Sequence, residues 1–356
     1  MSVASPNSSL AGLRETVVFV GRDRVLGPTL DAAAVALQRL GHSVIRGHAE
    51  DPPRVTRYSP AEANEYFRMA DAILVSSRTV INADMMRSAP RLRGVAFVSI
   101  GSNSIDLAAA TELGIVVANG ATRENVESVA EASVMLMVAL MLDLAGKQRQ
   151  FSHRLPRPEP SMLSARMVSG STIGLIGFGR IAQAVAKRLA PWGVEIIAHR
   201  KRRDAGTVPG VEFVGLHELL SRSDVVSVHL PLTPETRGLL GVAELALMKR
   251  DAYVINTSRG GIVDEIALAA ALNNGDLAGA AIDVFETEPP PADHALRGLE
   301  NVILTEHTVG CTRELFSSLV PTAVENVVRI VSGREPLHVC NRDVLHRWQE
   351  RMRRAG

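Results

Sequence analysis

Residues 172–182, Thr-Ile-Gly-Leu-Ile-Gly-Phe-Gly-Arg-Ile-Ala, constrain the fold of this chain more than any other segment, because an apolar strand runs into a glycine turn and directly on into a helix. Gly177 permits the tight bend, Gly179 lets the backbone approach a pyrophosphate, and Ala182 is small enough for the helix to pack closely on a sheet with its N-terminus toward the phosphates. The G-x-G-x-x-A pattern is weak by itself, since a glycine turn that merely packs reads the same way. Its surroundings strengthen it. An amphipathic segment, Ile181 to Leu189, follows, and then a second apolar run, Val194 to Ala198, stands where the next parallel strand should come. The segment predicts a dinucleotide site.

With 356 residues the chain has room for two domains of ordinary size, each with its own core. A hydrophobic content of 46% with 22% charged residues is that of a globular protein, and a formal charge of +1 gives no reason to expect nucleic acid or an anionic membrane as partner. Cys311 and Cys340 form no C-x-x-C pair and no disulfide framework, which suits a reducing cytoplasm. Met1 to Gly12 lacks the basic start and apolar core of a secretory signal and reads as a loose tail. The apolar stretch Ala132 to Leu142, closed by Glu131 and Asp143, falls short of the ~20 residues of a membrane span and reads as a buried helix. No metal-ligand cluster is expected.

Short apolar runs (Val17–Val20, Ala72–Val75, Val95–Val98, Ile115–Ala118) alternate with helical patterns (Pro28–Leu40, Asp106–Leu113) in the first third of the chain. Gly47 to Pro60 reads as a surface loop. One long helix is expected from about Glu127 to Gln148, ended by the proline-punctuated segment Arg154 to Pro160. After the glycine turn, strands are expected near Val225–Val228, Tyr253–Asn256, Ala280–Ile282 and Val302–Leu304, giving six or so in one doubly wound sheet. A helical segment, Thr312 to Val331, then returns to the first domain. The expected architecture is α/β: a Rossmann domain over 122–309 inserted into a doubly wound domain over 1–121 completed by 310–356, with a cleft between the two.

Three strand ends supply chemistry. Arg259, in Asn256-Thr-Ser-Arg-Gly-Gly261, follows a strand directly, so its guanidinium would stand at the carboxyl edge of the sheet, where such sheets bind ligands. A guanidinium there clamps a carboxylate through two parallel hydrogen bonds, although a surface arginine beside a Gly-Gly turn would look the same. The run Asp283-Val-Phe-Glu-Thr-Glu288-Pro brings carboxylates to that edge, and Thr305-Glu-His307 brings an imidazole. A lone histidine after a strand is more often structural, but imidazole beside a carboxylate is the natural acid–base pair near neutral pH.

These residues resemble the D-isomer-specific 2-hydroxyacid dehydrogenases over about residues 70 to 333. The motifs that carry the resemblance are Ser128-Val-Ala-Glu131, Gly174 to Ile181, His229-Leu-Pro-Leu-Thr233, Asn256 to Gly261 with Val263-Asp-Glu265, and Asp283 to Pro289. The resemblance implies a flavodoxin-like substrate domain beside the Rossmann domain and hydride transfer between NAD(P)H and a small 2-keto acid or D-2-hydroxy acid. It implies that Arg259 binds the substrate carboxylate and carbonyl, that His307 is the acid–base group, and that Glu288 orients it and favours its charged form. It further implies cofactor contacts from Gly177, Gly179, Arg180, Ile181, Leu230, Pro231, Thr236, Thr257, Ser258, Asp283 (on the nicotinamide amide), His307 and Gly310, to which the chain's own Arg200, Lys201 and Arg202 are added as expected contacts. Substrate contacts would come from Ser76, Ser77, Ser99, Ile100, Gly101 and Arg259. The helix Val129 to Leu142 resembles the family's dimer-forming segment, so a homodimer is expected.

The sequence departs from the family's pattern in informative places. Where NAD-preferring relatives have an aspartate after the second Rossmann strand, this chain has Arg200-Lys-Arg-Arg203, which suits a 2′-phosphate and predicts NADP(H) over NAD(H), with a merely solvated basic turn as the alternative. Glu306 replaces the usual proline before the histidine and would either add charge near the site or face water. The segments Val98 to Asp106 and Asn119 to Asn125 differ from the family's substrate loops, so the identity of the acid does not carry over. No added regulatory domain, and so no control by serine, is expected. A cofactor-sensing, corepressor-like binding protein and a phosphite-type dehydrogenase are the alternative functions.

Overall fold

The computed structural model describes residues 15–48, 55–102, 104–201 and 207–355. The expected tail Met1–Gly12, part of the Gly47–Pro60 loop, and Arg202 and Arg203 lie outside the described residues. In chain order the elements are β1 (Val17–Val20), α1 (Gly27–Arg39), β2 (Ser43–Arg46), α2 (Pro60–Phe67), β3 (Ala72–Val75), α3 (Ala83–Arg87), β4 (Gly94–Phe97), α4 (Leu107–Glu112), β5 (Val116–Ala118), α5 (Arg123–Met141) and α6 (Leu144–Ser152). They continue with β6 (Thr172–Ile176), α7 (Arg180–Leu189), β7 (Glu195–His199), β8 (Glu212–Phe213), α8 (Leu216–Arg222), β9 (Val225–Val228), α9 (Val242–Leu245), β10 (Tyr253–Asn256), α10 (Glu265–Asn273), β11 (Gly279–Ile282), β12 (Val302–Leu304), α11 (Arg313–Ser332) and α12 (Leu345–Ala355).

The chain divides into two compact units, 1–125 with 313–356, and 126–312. The first holds a five-stranded sheet in the order β2-β1-β3-β4-β5, every pairing parallel. Its core lies on both faces: Phe19, Ile73 and Phe97 pack with Phe67 and Leu92, whereas Val18, Leu74 and Ala96 pack with Leu37, Val327 and Trp348. The second unit holds a seven-stranded parallel sheet in the order β12-β11-β10-β9-β6-β7-β8. Its strands alternate with period two between two cores. Ile173, Leu175, Val225 and Ile255 meet α5 and α7 on one face, and Ile176, Val226 and Val254 meet Leu219 and Leu268 on the other. Helices on both faces explain why these strands read as unbroken apolar runs.

Three expectations need correction. The single helix Glu127–Gln148 is two helices: it begins at Arg123, stops at Met141, and resumes at Leu144 after a bend of 59°, with Asp143 in a left-handed conformation (φ 49°) and its carboxylate capping Gly146 N at 3.0 Å. The first sheet has an extra edge strand, β2, whose half-buried Ser-Val-Ile-Arg shows no apolar run. The second sheet has a seventh strand, β8, only two residues long. Among the described residues, no helix is long and apolar enough to cross a membrane, no group of His, Cys, Asp and Glu could hold a metal, and both cysteines are unpaired.

Candidate active site

Adjacent parallel strands β10, β11 and β12 release their chains on one edge of the second sheet, and each contributes one part of the site. After β10 the turn is built by Asn256, whose side chain accepts from Ser258 N (3.1 Å) and Ser258 Oγ (2.8 Å) while its amide donates to the Arg259 carbonyl (2.9 Å). Arg259 leaves this turn half-buried, with Nη1 donating to the Ser258 carbonyl at 2.6 Å. Burial pushes its pKa down and the nearby Glu288 carboxylate pulls it up, and the guanidinium remains a cation throughout the working pH range.

After β11 stands Asp283, only 4% exposed. Its Oδ1 accepts from Thr305 Oγ1 (2.7 Å), Thr308 N (2.9 Å) and Val309 N (3.1 Å), and its carbonyl accepts from His307 N (2.6 Å). These bonds hold His307 at φ 56°, in the left-handed region that a side-chain-bearing residue adopts only when its surroundings enforce it. The imidazole therefore projects from a fixed turn. Its Nδ1 lies 3.0 Å from both oxygens of Glu288, so Nδ1 carries the proton toward the carboxylate and Nε2 is left to exchange a proton with a ligand. Arg259, Glu288 and His307 thus share one sheet edge. Glu306 points to solvent, 68% exposed, with only a 3.9 Å approach to Arg297.

The dinucleotide turn follows β6, and β6 and β9 are neighbours from which the chain continues in opposite directions across the sheet, the switch point at which such sheets bind ligands. Gly177 has φ 90°, and a Cβ there would lie 2.6 Å from the His229 carbonyl, so only glycine fits. Over Gly179 nothing lies within 4 Å of a Cβ position. Gly179 caps α7 without a side-chain hydrogen bond, and the first turn of α7 carries no acidic residue. An open space above an uncapped, anion-favouring helix start fits a pyrophosphate. Arg180 is exposed beside it, Ile181 is half-buried, and Ala182 is fully buried against the sheet.

Arg200 leaves β7 with its guanidinium carbon 3.7 Å above the Phe213 ring of β8, and Lys201 is exposed next to it. Stacking fixes the plane of the guanidinium. Leu230 is half-buried and Pro231 exposed, and Thr236 closes their turn by donating to the Pro231 carbonyl at 2.7 Å. Thr257 is buried, its hydroxyl 3.0 Å from that of Ser133, so only its backbone faces the site edge. Gly310 is buried too, with Val129 Cγ2 2.7 Å from its Cβ position. The residues present fit a nicotinamide dinucleotide: Gly177, Gly179 and the α7 start would hold its phosphates and Arg200 the far ribose.

In the first unit, Ser77, Ser99, Ile100 and Gly101 gather at the ends of neighbouring β3 and β4, with Ser77 N donating to Ser99 Oγ at 3.2 Å and Asn119 Nδ2 donating to the Ile100 carbonyl at 2.7 Å. The Ser76 side chain is fully buried, and its hydroxyl donates to the Asp23 carboxylate and accepts from Arg78 N at 3.1 Å, so the hydroxyl braces the loop. Reading the sequence also gave no role to Asn256, which builds the Arg259 turn, or to Thr305, which bonds Asp283. Asn256 alone carried a signal, an Asx-type residue directly after a strand.

The sequence pattern of the D-isomer specific 2-hydroxyacid dehydrogenase NAD binding domain matches residues 134–309. Glyoxylate reductase of Aeropyrum pernix is 38% identical over 307 residues, 83% of this chain and 88% of that protein. D-3-phosphoglycerate dehydrogenase of Mycobacterium leprae is 37% identical over 270 residues, 74% of this chain and 50% of its own length. The structure of an NADPH-dependent glyoxylate/hydroxypyruvate reductase from Sinorhizobium meliloti, in complex with NADP and malonate, superimposes with a TM-score of 0.75 at 26% identity, covering 92% of this chain and 97% of its own.

Proposed function

The chain belongs to the D-isomer specific 2-hydroxyacid dehydrogenase family and is an NAD(P)-dependent oxidoreductase, and from that premise we propose that it reduces a small 2-keto acid with NADPH as preferred reductant. The observation that carries this reading is His307 Nδ1, 3.0 Å from both oxygens of Glu288 on the edge that also bears Arg259. Arg259 takes the substrate carboxylate and polarises the adjacent carbonyl. His307 gives a proton from Nε2 to the carbonyl oxygen while Glu288 holds the opposite ring nitrogen. The bound nicotinamide supplies the hydride. The guanidinium of Arg200, stacked on Phe213, supports a 2′-phosphate and hence NADPH, as does the NADP held by the Sinorhizobium meliloti relative.

The purified protein should oxidise NADPH with at least one of glyoxylate, hydroxypyruvate, pyruvate or a longer 2-keto acid. His307→Ala should reduce kcat by at least about 100-fold, the scale of a lost general acid. Turnover of no acid in the panel, or a His307→Ala protein as active as the parent, would refute the reading.

A further inference from the structure

Beside the reacting residues lies a second imidazole–carboxylate pair, His294 and Glu265, with side chains only 9% and 15% exposed. Glu265, the first residue of α10, uses both oxygens: Oε1 accepts from Glu286 N and Oε2 from His294 Nε2, each at 2.7 Å. His294 Nδ1 accepts from Leu296 N at 3.3 Å, so the ring proton sits on Nε2 and is donated to Glu265. The same ring stands edge-on to Phe285, with centroids 5.2 Å apart.

The segment gripped in this way carries Glu288. Phe285 N donates to Glu288 Oε1 at 3.2 Å, and that oxygen is one of the two on His307 Nδ1. On the other side, Gly260 presses directly against the segment, since a Cβ at Gly260 would lie 1.9 Å from the Phe285 carbonyl oxygen. Gly260 follows Arg259. Glu265 therefore lies at the end of the connection that bears Arg259 and binds the connection that bears Glu288. Arg237 adds an exposed ion pair to Glu286 at 2.7 Å.

We propose that Glu265 and His294 are positioning residues for the reaction, a clamp that sets the Phe285–Glu288 segment against the Arg259 turn and so holds the Glu288 carboxylate on His307 Nδ1. The proposal rests on the roles given above to Glu288 and His307. If the pair only closed a loop, its removal would lower stability and leave the chemical step alone. As a clamp it acts through Glu288, so its loss lowers kcat, and that loss disappears when Glu288 has already been neutralised.

The test is a double-mutant cycle on the full chain with NADPH and glyoxylate, with folding checked by Tm and by NADPH fluorescence titration. His294→Phe keeps a ring against Phe285 and removes the donor. His294→Gln returns a donor near the Nε2 position. His294→Phe should lower kcat about tenfold while KM and NADPH affinity stay within about twofold, the scale expected of a displaced catalytic group. His294→Gln should recover most of that loss, and in a Glu288→Gln background His294→Phe should have no further effect. If His294→Phe does not fold, the isosteric Glu265→Gln takes its place in the same cycle. A parental kcat for the clamp variant, or an equal loss in both backgrounds, would overturn the clamp alone. A parental kcat for Glu288→Gln would instead remove the role of Glu288 and the clamp with it.

Discussion

His229 shows how one residue serves two purposes in this molecule. Its carbonyl lies under Gly177 and excludes any side chain there, while its Nε2 sits 3.0 Å from Ser227 Oγ. Burial pushes the imidazole down to about 4, against an ordinary value of 6.5. The unfolded chain therefore binds a proton between pH 6.5 and about 4 that the native state refuses, and the stability present above pH 6.5 is lost as the pH falls toward 4. His229→Gln should lose less stability than the parent over that window, by about 3 kcal/mol at most. Chemical denaturation at pH 7 and pH 4 measures it, and equal losses in both proteins would contradict the burial. At this scale the sequence disclosed chemistry better than geometry. Arg259 and His307 stood out because each follows an apolar run closely, whereas Glu288 was distinguished from Asp283 and Glu286 only by the family resemblance. The hold of Asp283 on the His307 turn was not, because it depends on two backbone N–H groups and a hydroxyl that meet only after β11 and β12 have paired.

Elements were legible to the extent that burial wrote them into the sequence. Strands β6, β9, β10 and β11 are covered on both faces and read as apolar runs. Edge strands β2 and β8 are half-open, and nothing in Ser-Val-Ile-Arg or Glu-Phe distinguishes them from loop. The break between α5 and α6 was hidden for another reason: Leu142 and Leu144 keep the apolar pattern going on either side of Asp143, although both are exposed. The strand β8 bears on the proposed preference for NADPH, because its Phe213 is the platform for Arg200. Arg200→Asp should remove the guanidinium and supply a carboxylate for a ribose hydroxyl, lowering the ratio of kcat/KM for NADPH to that for NADH at least about tenfold. An unchanged ratio would show that the basic turn only faces water.

At the scale of the whole molecule, the stretch 135–167 is rich in exposed apolar side chains: Met135, Leu142, Leu144, Phe151, Leu155, Met162, Leu163 and Met167. The same unit has a cavity of about 690 Å³ at the amino ends of β10, β11 and β12, lined by Leu140, Tyr253, Leu277 and Val302. We propose that a second copy of the chain covers this stretch, as exposed apolar side chains in such number call for. Light scattering should give twice the chain mass, and Phe151→Glu, at a residue 88% exposed, should shift the protein toward the monomer; a monomeric parent would contradict the proposal. The central claim concerns the edge of the second sheet, and single-turnover stopped flow tests it most directly. NADPH-loaded protein mixed with glyoxylate should oxidise its bound cofactor in one phase, whereas His307→Asn should bind NADPH with unchanged affinity and oxidise it at least about 100-fold more slowly. Oxidation by His307→Asn at the parental rate would contradict the account.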